Sequence, residues 1–369
     1  MALAVTITNV FVHVAIYNIR IYQVSDVKSK FTNNEYIATR VITCVIASLL
    51  CIILVVVSNY SMLQKIIILI FMMIRANDAY IDVIHGFFQK SDRLDYIGKS
   101  WLFRGIAMLL VFLVMYPILG LIYSAFGMLV ATFLVTLFYD IRQGKALVHF
   151  SLEFNPRRIL FLLNICFPLM LVQLFNIFII SFSRYEIERI QGAEALGAYA
   201  SVAMPSFIIQ LAISLMLTPV VTIFARLIGE NNKEQLIKSI LYCIITIVGF
   251  TLVVLLGSIL LGEWGLTFLY GNEIRPYAYL LTGVVIYTGL SALLLLFNIV
   301  LVSLRDMKGI FFGNFIGLII CLIISSNFIY RYGLEGANNA LIICYLVVVF
   351  ILAFRVASVI RTEALQKGN

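Results

Sequence analysis

Nine long stretches of the chain contain no Asp, Glu, Lys or Arg residue, and together they make up most of its 369 residues. A helix needs about 20 apolar residues to cross the roughly 30 Å hydrocarbon core of a bilayer. Only 12% of the residues are charged, about half of what a soluble domain carries. A soluble globular protein is therefore excluded, and an all-α polytopic membrane protein is predicted. The uncharged stretches are 1–19, 41–64, 105–139, 159–183, 195–225, 239–262, 276–304, 309–330 and 336–354.

The stretch 105–139 is too long for one span, because a single helix of that length would extend over roughly 50 Å. Pro117 and Gly120 near its middle predict a hairpin that divides it into two helices. A further segment, 66–88, is apolar at its start and is counted as a span although it carries charges. These counts predict eleven transmembrane helices.

The segment 140–158 is basic, contains a proline and separates five predicted helices from six. We therefore predict an N-terminal helix bundle over 1–139, a cytoplasmic linker over 140–158 and a C-terminal helix bundle over 159–369. The two bundles resemble a diverged repeat, an arrangement that many transporters use to build a site near the middle of the membrane. The alternative is that helix and loop units look alike in any polytopic protein.

The distribution of the 26 Lys and Arg residues predicts the orientation of the chain. Most of them fall on one side if the loop 20–40 is cytoplasmic, which places the N-terminus outside and the C-terminus in the cytoplasm. An external N-terminus without a preceding basic residue predicts that one more helix precedes Met1. The net charge of +8 is explained by this topology, so nucleic acid is not expected as a partner.

The segment 66–88 contains the chain's clearest cluster of ionisable residues. Arg75, Asp78, Asp82 and His85 are spaced three or four residues apart, which places them on one face of a helix. Ionisable groups at membrane depth usually face a bundle interior or a water-filled cavity. Two interpretations remain open: the stripe lines a pathway, with Asp78, Asp82 and His85 in gating or ion coupling, or Arg75 is neutralised by the two carboxylates and the stripe only joins helices.

Other polar residues give weaker indications. Asn9, Asn77 and Asn176 lie in predicted spans and are candidates for the substrate pathway, although most such amides only join helices. The six cysteines have no C-x-x-C spacing and the three histidines are scattered, so we predict no metal site, no cofactor and no disulfide framework. No catalytic residue is predicted either.

Several motifs resemble the Wzx-type polysaccharide flippases, a polysaccharide biosynthesis family of the MATE-like (MOP) superfamily. The segment GFFQKSDRLDYIGKSWLFR, residues 86–104, is similar to that family's G-x-x-Q-x-x-x-R-x-D-x-I-x-x-S-x-x-x-R pattern. Further similar segments are spread along the chain: RYEIERIQGAEALGAYA (184–200), LYGNEIRPYAYLL (269–281) and YGLEGANNALI (332–342).

The resemblance implies a MATE-like fold of two six-helix bundles around a central cavity, of which this chain lacks the first helix. It implies a multi-pass protein of the cytoplasmic membrane that flips undecaprenyl-pyrophosphate-linked oligosaccharides for surface polysaccharide export. The expected partners are the lipid-linked glycan, the bilayer, a coupling ion (H⁺ or Na⁺) and other polysaccharide assembly proteins. Arg75, Arg104 and Arg20 are then candidates for contact with the pyrophosphate.

Three other functions stay open at this point. One is a non-transporting membrane scaffold, which a fully packed polar stripe would support. A drug or small-cation exporter of the same fold would need unpaired carboxylates in its cavity, whereas here an arginine lies beside them. A membrane-embedded polysaccharide polymerase or acyltransferase generally needs a long outer loop or a His/Asp set at one face.

Overall fold

The computed structural model describes residues 2–26, 29–149, 151 and 153–365. All regular structure within these residues is helical, as the sequence predicts. The α-helices are α1 (Ala2–Ile16), α2 (Ile19–Val24), α3 (Asn33–Val57), α4 (Met62–Lys90), α5 (Leu94–Val135), α6 (Arg142–Leu147), α7 (Pro156–Gln191), α8 (Ala193–Ala203), α9 (Pro205–Gly229), α10 (Lys233–Tyr270), α11 (Leu280–Ser303) and α12 (Met307–Leu365). A π-helix, Thr136–Ile141, joins α5 to α6, and a 3₁₀-helix, Asn272–Tyr277, precedes α11.

Seven helical segments within the described residues are long and apolar enough to cross a membrane. The chain is thus a multi-pass membrane protein. The number of eleven spans stays a prediction, because α1 has only 15 residues and α4 carries the charged stripe. The seven segments are Asn33–Val57, Leu94–Leu147, Pro156–Gln191, Ala193–Gly229, Lys233–Tyr270, Leu280–Ser303 and Met307–Arg361.

Two of these long segments fold back on themselves at a glycine. Gly120 divides α5 with φ +77°, a conformation that glycine adopts without steric cost, at the position where the sequence predicts a hairpin. The two halves of α5 touch, since a Cβ at Gly127 would lie 2.8 Å from Val111 Cγ1. Gly333 bends α12 in the same way, with φ +60°.

The chain divides into two compact units, Met1–Met170 and Leu171–Asn369, which are described separately. The division lies within α7, beyond the predicted linker, and residues 142–147 of that linker form α6. In unit 1, α4 packs against α1, α3 and α5 around an apolar core. In unit 2, α11 is buried along most of its length and packs against α9, α10 and α12.

Large apolar side chains are exposed on both units. Leu113 and Val114 on α5 are more than half exposed, as are Leu256 and Leu260 on α10. Exposed apolar surface of this extent is typical of helices that face lipid. The uncharged stretches therefore supply the lipid-facing surface.

Candidate functional site

The charged stripe lies on one helix, α4, whose N-terminus is fixed by a capping box. Ser61 Oγ accepts from the backbone N–H of Gln64, and the Gln64 side chain accepts from the backbone N–H of Ser61. Such a box satisfies two N–H groups that have no partner within the helix. The helix then continues without a break to Lys90, so the whole stripe is held on one rigid element.

Asp82 is held between two arginines that come from other helices. Arg40 on α3 donates to Asp82 Oδ2 at 2.8 Å, and Arg20 on α2 lies 3.4 Å from Oδ1. Arg20 also donates to the Gln89 side chain at 3.0 and 3.2 Å. The Arg40 side chain is fully buried, whereas about a fifth of the Arg20 and Asp82 side chains is exposed.

Asp78 is also held between two arginines. Arg75, one turn earlier on α4, lies 3.4 Å from Asp78 Oδ2, and Arg104 on α5 lies 2.5 Å from Oδ1. Arg104 also donates to Thr136 Oγ1 at 2.8 Å, and the Thr136 hydroxyl donates to Asn77 Oδ1 at 3.1 Å. Only 2% of the Arg104 side chain is exposed, against 32% for Arg75.

His85 contacts a third carboxylate, Asp140, which lies in the π-helix. His85 Nε2 is 3.5 Å from Asp140 Oδ1 and 3.2 Å from Ser100 Oγ. Both the histidine and the aspartate are buried. Neither Asp140 oxygen accepts a hydrogen bond from any described residue. Single turns of π-helix are frequently found at functional sites.

The cluster of these ionisable side chains has an excess of positive charge. Four arginines surround two aspartates, so the Arg–Asp part carries a formal surplus of two positive charges. Arg20 and Arg75 are the partly exposed members, and Arg40 and Arg104 are the buried ones. A guanidinium presents a planar fork of donors that matches carboxylate and phosphate groups. Chemically, the exposed edge of this cluster is suited to an anion.

The structure thus brings most of the predicted site residues together in unit 1, but gives them different environments. Arg104 belongs to the cluster as a buried member whose N–H donors already have partners. The other predicted residues in the cluster are Arg20, Arg75, Asn77, Asp78, Asp82 and His85. Asn9 is exposed on α1, outside these contacts. Asn176 belongs to unit 2, where it donates to the Val172 carbonyl of its own helix.

Three residues of the cluster are absent from the sequence-based prediction. Arg40 counts there only as a loop cation, and Asp140 only as the first residue of a linker. Thr136 is one hydroxyl among many in the apolar stretches. Burial and partners, which depend on tertiary packing, distinguish these residues, and the sequence carries no signal for them.

Two carboxyl groups that form ion pairs outside the predicted spans have lowered pKa values. Arg93 donates to both Asp95 oxygens, and this hydrogen bonding lowers the pKa of Asp95 to about 2. Partial burial acts to raise the pKa of Glu35, but hydrogen bonds from Arg158 and Thr32 outweigh it, so the pKa is lowered. The Glu35 pair joins the start of α3 to the start of α7 within unit 1.

Solved structures with this fold are transporters. The Vibrio cholerae MATE transporter VcmN in its bent form is 14% identical, with a TM-score of 0.79 over 99% of this chain and 88% of that chain. An outward-facing multidrug resistance MATE family transporter of the MOP superfamily is 15% identical, with a TM-score of 0.72 over 99% and 86%. A MOP superfamily transporter from Pyrococcus furiosus is 13% identical, with a TM-score of 0.74 over 96% and 86%. These likenesses show the MATE fold.

The family is shown by the sequence itself. No curated protein matches the chain. The family model described as polysaccharide biosynthesis protein matches residues 1–227, which is more than half of the chain and includes the whole charged cluster. The chain therefore belongs to the polysaccharide biosynthesis protein family of MOP-type membrane transporters, as its motifs and its fold both indicate.

Proposed function

We propose that this protein flips undecaprenyl-pyrophosphate-linked oligosaccharide units across the cytoplasmic membrane for surface polysaccharide export. The observation that carries the proposal is the arginine surplus of unit 1. Arg20 and Arg75 keep part of their side chains exposed, while Arg40 and Arg104 hold the two aspartates from the buried side. A pyrophosphate head group has the charge and the acceptor oxygens that such an edge binds.

The four arginines have different roles in this proposal. Arg20 and Arg75 contact the pyrophosphate. Arg104 acts indirectly, because it pairs with Asp78 and holds Asn77 through the Thr136 hydroxyl. Asp78 and Asp82 neutralise part of the charge of the arginines and so determine how much positive charge is available to the substrate. This is the gating role assigned to them. Asn9, which is exposed on α1, is assigned to the glycan part of the pathway, where polar side chains contact sugar hydroxyls.

An exporter of drugs or small cations is the second candidate, because one structure of the same fold is a multidrug resistance transporter. A cation would have to displace an arginine from either aspartate, since both carboxylates already have two arginine partners. The Pyrococcus furiosus transporter is described as having a binding pocket of reverse polarity that suggests a different function. Pocket polarity is thus a criterion that separates the two candidates.

The test measures binding of undecaprenyl pyrophosphate and of ethidium, an organic cation, to the purified full chain in nanodiscs. We expect the pyrophosphate lipid to bind and Arg75→Gln or Arg20→Gln to weaken it by about tenfold or more, since a hydrogen bond to a charged group contributes about 1.5–3 kcal/mol. Arg331→Gln, at an exposed arginine of unit 2, is the matched control. Tight ethidium binding that the arginine substitutions strengthen would establish the exporter instead.

The orientation of the protein is part of the proposal. The predominance of Lys and Arg in the loops assigned to the inside supports a cytoplasmic location of 140–158 and of the C-terminus. Reporter fusions after Lys145 and after Arg361 should both be active in the cytoplasm and inactive outside it. A fusion after Arg275 should give the opposite result.

A further inference from the structure

A cavity of about 310 Å³ lies within unit 2, whereas the arginine cluster belongs to unit 1. Small-molecule sites in proteins usually have volumes of about 300–1,000 Å³, so this cavity can take one small ligand. Two helices line it. Arg189 and Ile190 come from the end of α7, and Ser326, Asn327 and Tyr330 come from α12.

The two helices that line the cavity pack side by side. The ring of Phe175 on α7 lies 5.7 and 5.8 Å from the rings of Phe311 and Phe315 on α12. Further along both helices, Cys321 Sγ lies 3.7 Å from the carbonyl oxygen of Ile179. The cavity follows these contacts on both helices, at the end that the distribution of Lys and Arg residues predicts to be outside.

Three polar side chains of the cavity have no hydrogen-bond partner among the described residues. They are those of Ser326, Asn327 and Tyr330. Serines within helices commonly donate to a carbonyl of the preceding turn, as Ser201 and Ser239 do in unit 2. The Ser326 hydroxyl makes no such bond. The cavity therefore offers one amide and two hydroxyls that are free to bind a ligand.

The charge of the cavity is balanced. Arg189 Nη2 donates to Glu186 Oε2 at 2.5 Å, and only 4% of the Glu186 side chain is exposed, against 54% for Arg189. The buried carboxylate holds the guanidinium in place and neutralises it. The other N–H groups of Arg189 have no partner within the described part of the chain. The cavity thus supplies donors without a surplus of positive charge, which favours a neutral ligand over an anion.

Tyr330 adds an aromatic face to these polar groups, since 80% of the residue is exposed. Tyrosines are common at membrane interfaces, but that preference does not explain the unpaired amide and hydroxyl beside this one. A pyranose ring carries C–H groups that can lie on an aromatic face, and hydroxyls that both donate and accept. Amide and hydroxyl side chains match such hydroxyls, because they also donate and accept.

We propose that this cavity of unit 2 binds one neutral sugar residue, a hexose or an N-acetylhexosamine. The inference rests on the proposed function, because the sugar is part of the glycan of the lipid-linked substrate. The sugar ring lies on Tyr330, and its hydroxyls exchange hydrogen bonds with Asn327 and Ser326. Arg189 donates to a further sugar oxygen. The pyrophosphate and the sugar are then recognised by different units of the protein.

The first experiment measures sugar binding without the lipid. Methyl glycosides of glucose, galactose, mannose and N-acetylglucosamine are titrated into the full chain in phosphatidylcholine nanodiscs, and saturation-transfer NMR reports which of them bind. We expect at least one to bind, and Asn327→Ala to weaken its binding about fivefold through lost hydrogen bonds. Asn272→Ala removes an exposed amide elsewhere in unit 2 and is the matched control, with binding as in the wild type.

Substitutions of Tyr330 test the contact between its ring and the sugar. We expect Tyr330→Leu to weaken binding of the same glycoside at least fivefold, and Tyr330→Phe to keep most of the binding because it keeps the ring. Equal losses in the two variants would overturn this contact. Both Tyr330 and Asn327 are exposed, so thermal unfolding should show that their variants stay folded. Arg189 is left unchanged, because its removal would deprive the buried Glu186 of its arginine.

The remaining outcomes separate this site from the proposed function. The site is overturned if none of the glycosides binds the wild type, or if Asn327→Ala and Tyr330→Leu bind them as tightly as the wild type. It is also overturned if phosphatidylglycerol in the nanodisc displaces the sugar, since the cavity then holds an anionic lipid head group. Binding of undecaprenyl pyrophosphate without any glycoside leaves the flippase function standing and removes the site. Binding of a glycoside without the pyrophosphate lipid leaves the site standing and removes the flippase function.

Discussion

Arg40 and Asp82 form an ion pair of 2.8 Å in which the arginine is fully buried and the aspartate is partly exposed. The same guanidinium donates to the carbonyl of Ala15 at 2.9 Å and to that of Ile16. These carbonyls lie at the end of α1, where a helix has no further N–H groups to satisfy them. One arginine of α3 therefore fixes both the end of α1 and the carboxylate of α4.

Replacing this arginine should destabilise unit 1 more than any exposed substitution. We expect Arg40→Leu to lower the free energy of unfolding by about 3 kcal/mol, because it removes one partner of a buried ion pair and the side-chain hydrogen bond to the Ile16 carbonyl, while the Ala15 carbonyl keeps its bond from Thr43. The measurement is denaturant unfolding of the purified protein in detergent. Arg331→Leu, at an exposed position, should change the free energy by less than about 0.5 kcal/mol. Equal losses for both variants would contradict the structural role of Arg40.

Gly86 should not tolerate a side chain, because α2 packs closely against α4 at this point. A Cβ there would lie 2.6 Å from Cδ of the buried Gln23, whose amide donates to the Val83 carbonyl at 3.1 Å. We expect Gly86→Ala to cost about 1–3 kcal/mol of stability through overpacking. It should also weaken undecaprenyl pyrophosphate binding, since α2 carries Arg20.

The matched control for that substitution is Gly98→Ala, in the same sequence motif. Gly98 lies within α5, and a Cβ there would meet no atom within 4 Å. Replacing a helical glycine by alanine in open space should stabilise the protein by about 0.5–1 kcal/mol. Thermal unfolding in detergent distinguishes the two variants by the sign of the change. A loss of stability in Gly98→Ala would contradict the open surroundings of that position.

Asp78 and Arg75 should have opposite effects on anion binding. Asp78→Asn removes the carboxylate that neutralises Arg75 and Arg104, so we expect tighter binding of undecaprenyl pyrophosphate and lower stability. Arg75→Gln should weaken binding with little change in stability, because its side chain is about one-third exposed. Binding measured in parallel at two salt concentrations should show a smaller salt dependence for Arg75→Gln. If both substitutions weakened binding of undecaprenyl pyrophosphate, or both tightened it, the result would argue against an anion at this edge.

Glu35 should make stability depend on pH in the acidic range. Its pKa in the folded protein is below its ordinary value of about 4.3, so the pair with Arg158 stabilises the protein above that value. This contribution is lost as the pH falls through the lowered pKa. In unfolding experiments from pH 3 to 7, Glu35→Gln should be less stable than the wild type at pH 6, and the difference should vanish at the acidic end.

The capping role of Glu35 can be separated from its charge. Glutamine also completes a capping box with Thr32, whereas alanine does not. We therefore expect Glu35→Ala to lose about 1 kcal/mol more than Glu35→Gln at every pH, since this is the typical contribution of a cap. A constant difference between the two variants is the result that supports both roles.

The sequence alone determined the class, the fold family and the position of the main polar feature. Uncharged stretches of membrane length dictate helices, because lipid offers no hydrogen-bond partners to an open backbone. Gly120 marks a hairpin, and the spacing of Arg75, Asp78, Asp82 and His85 places them on one face of α4. These features are local, so they can be recognised in the sequence without knowledge of what packs against them.

Only the tertiary structure decided which of the charged residues act together. Arg40 and Asp140 look like loop residues in the sequence, yet both are buried against α4, whose own sequence reveals nothing of them. Arg104 and Arg75 both pair with Asp78, and packing alone makes one inaccessible and leaves the other exposed. Charge, burial and partner depend on helices that are distant along the chain, so no spacing rule could supply them.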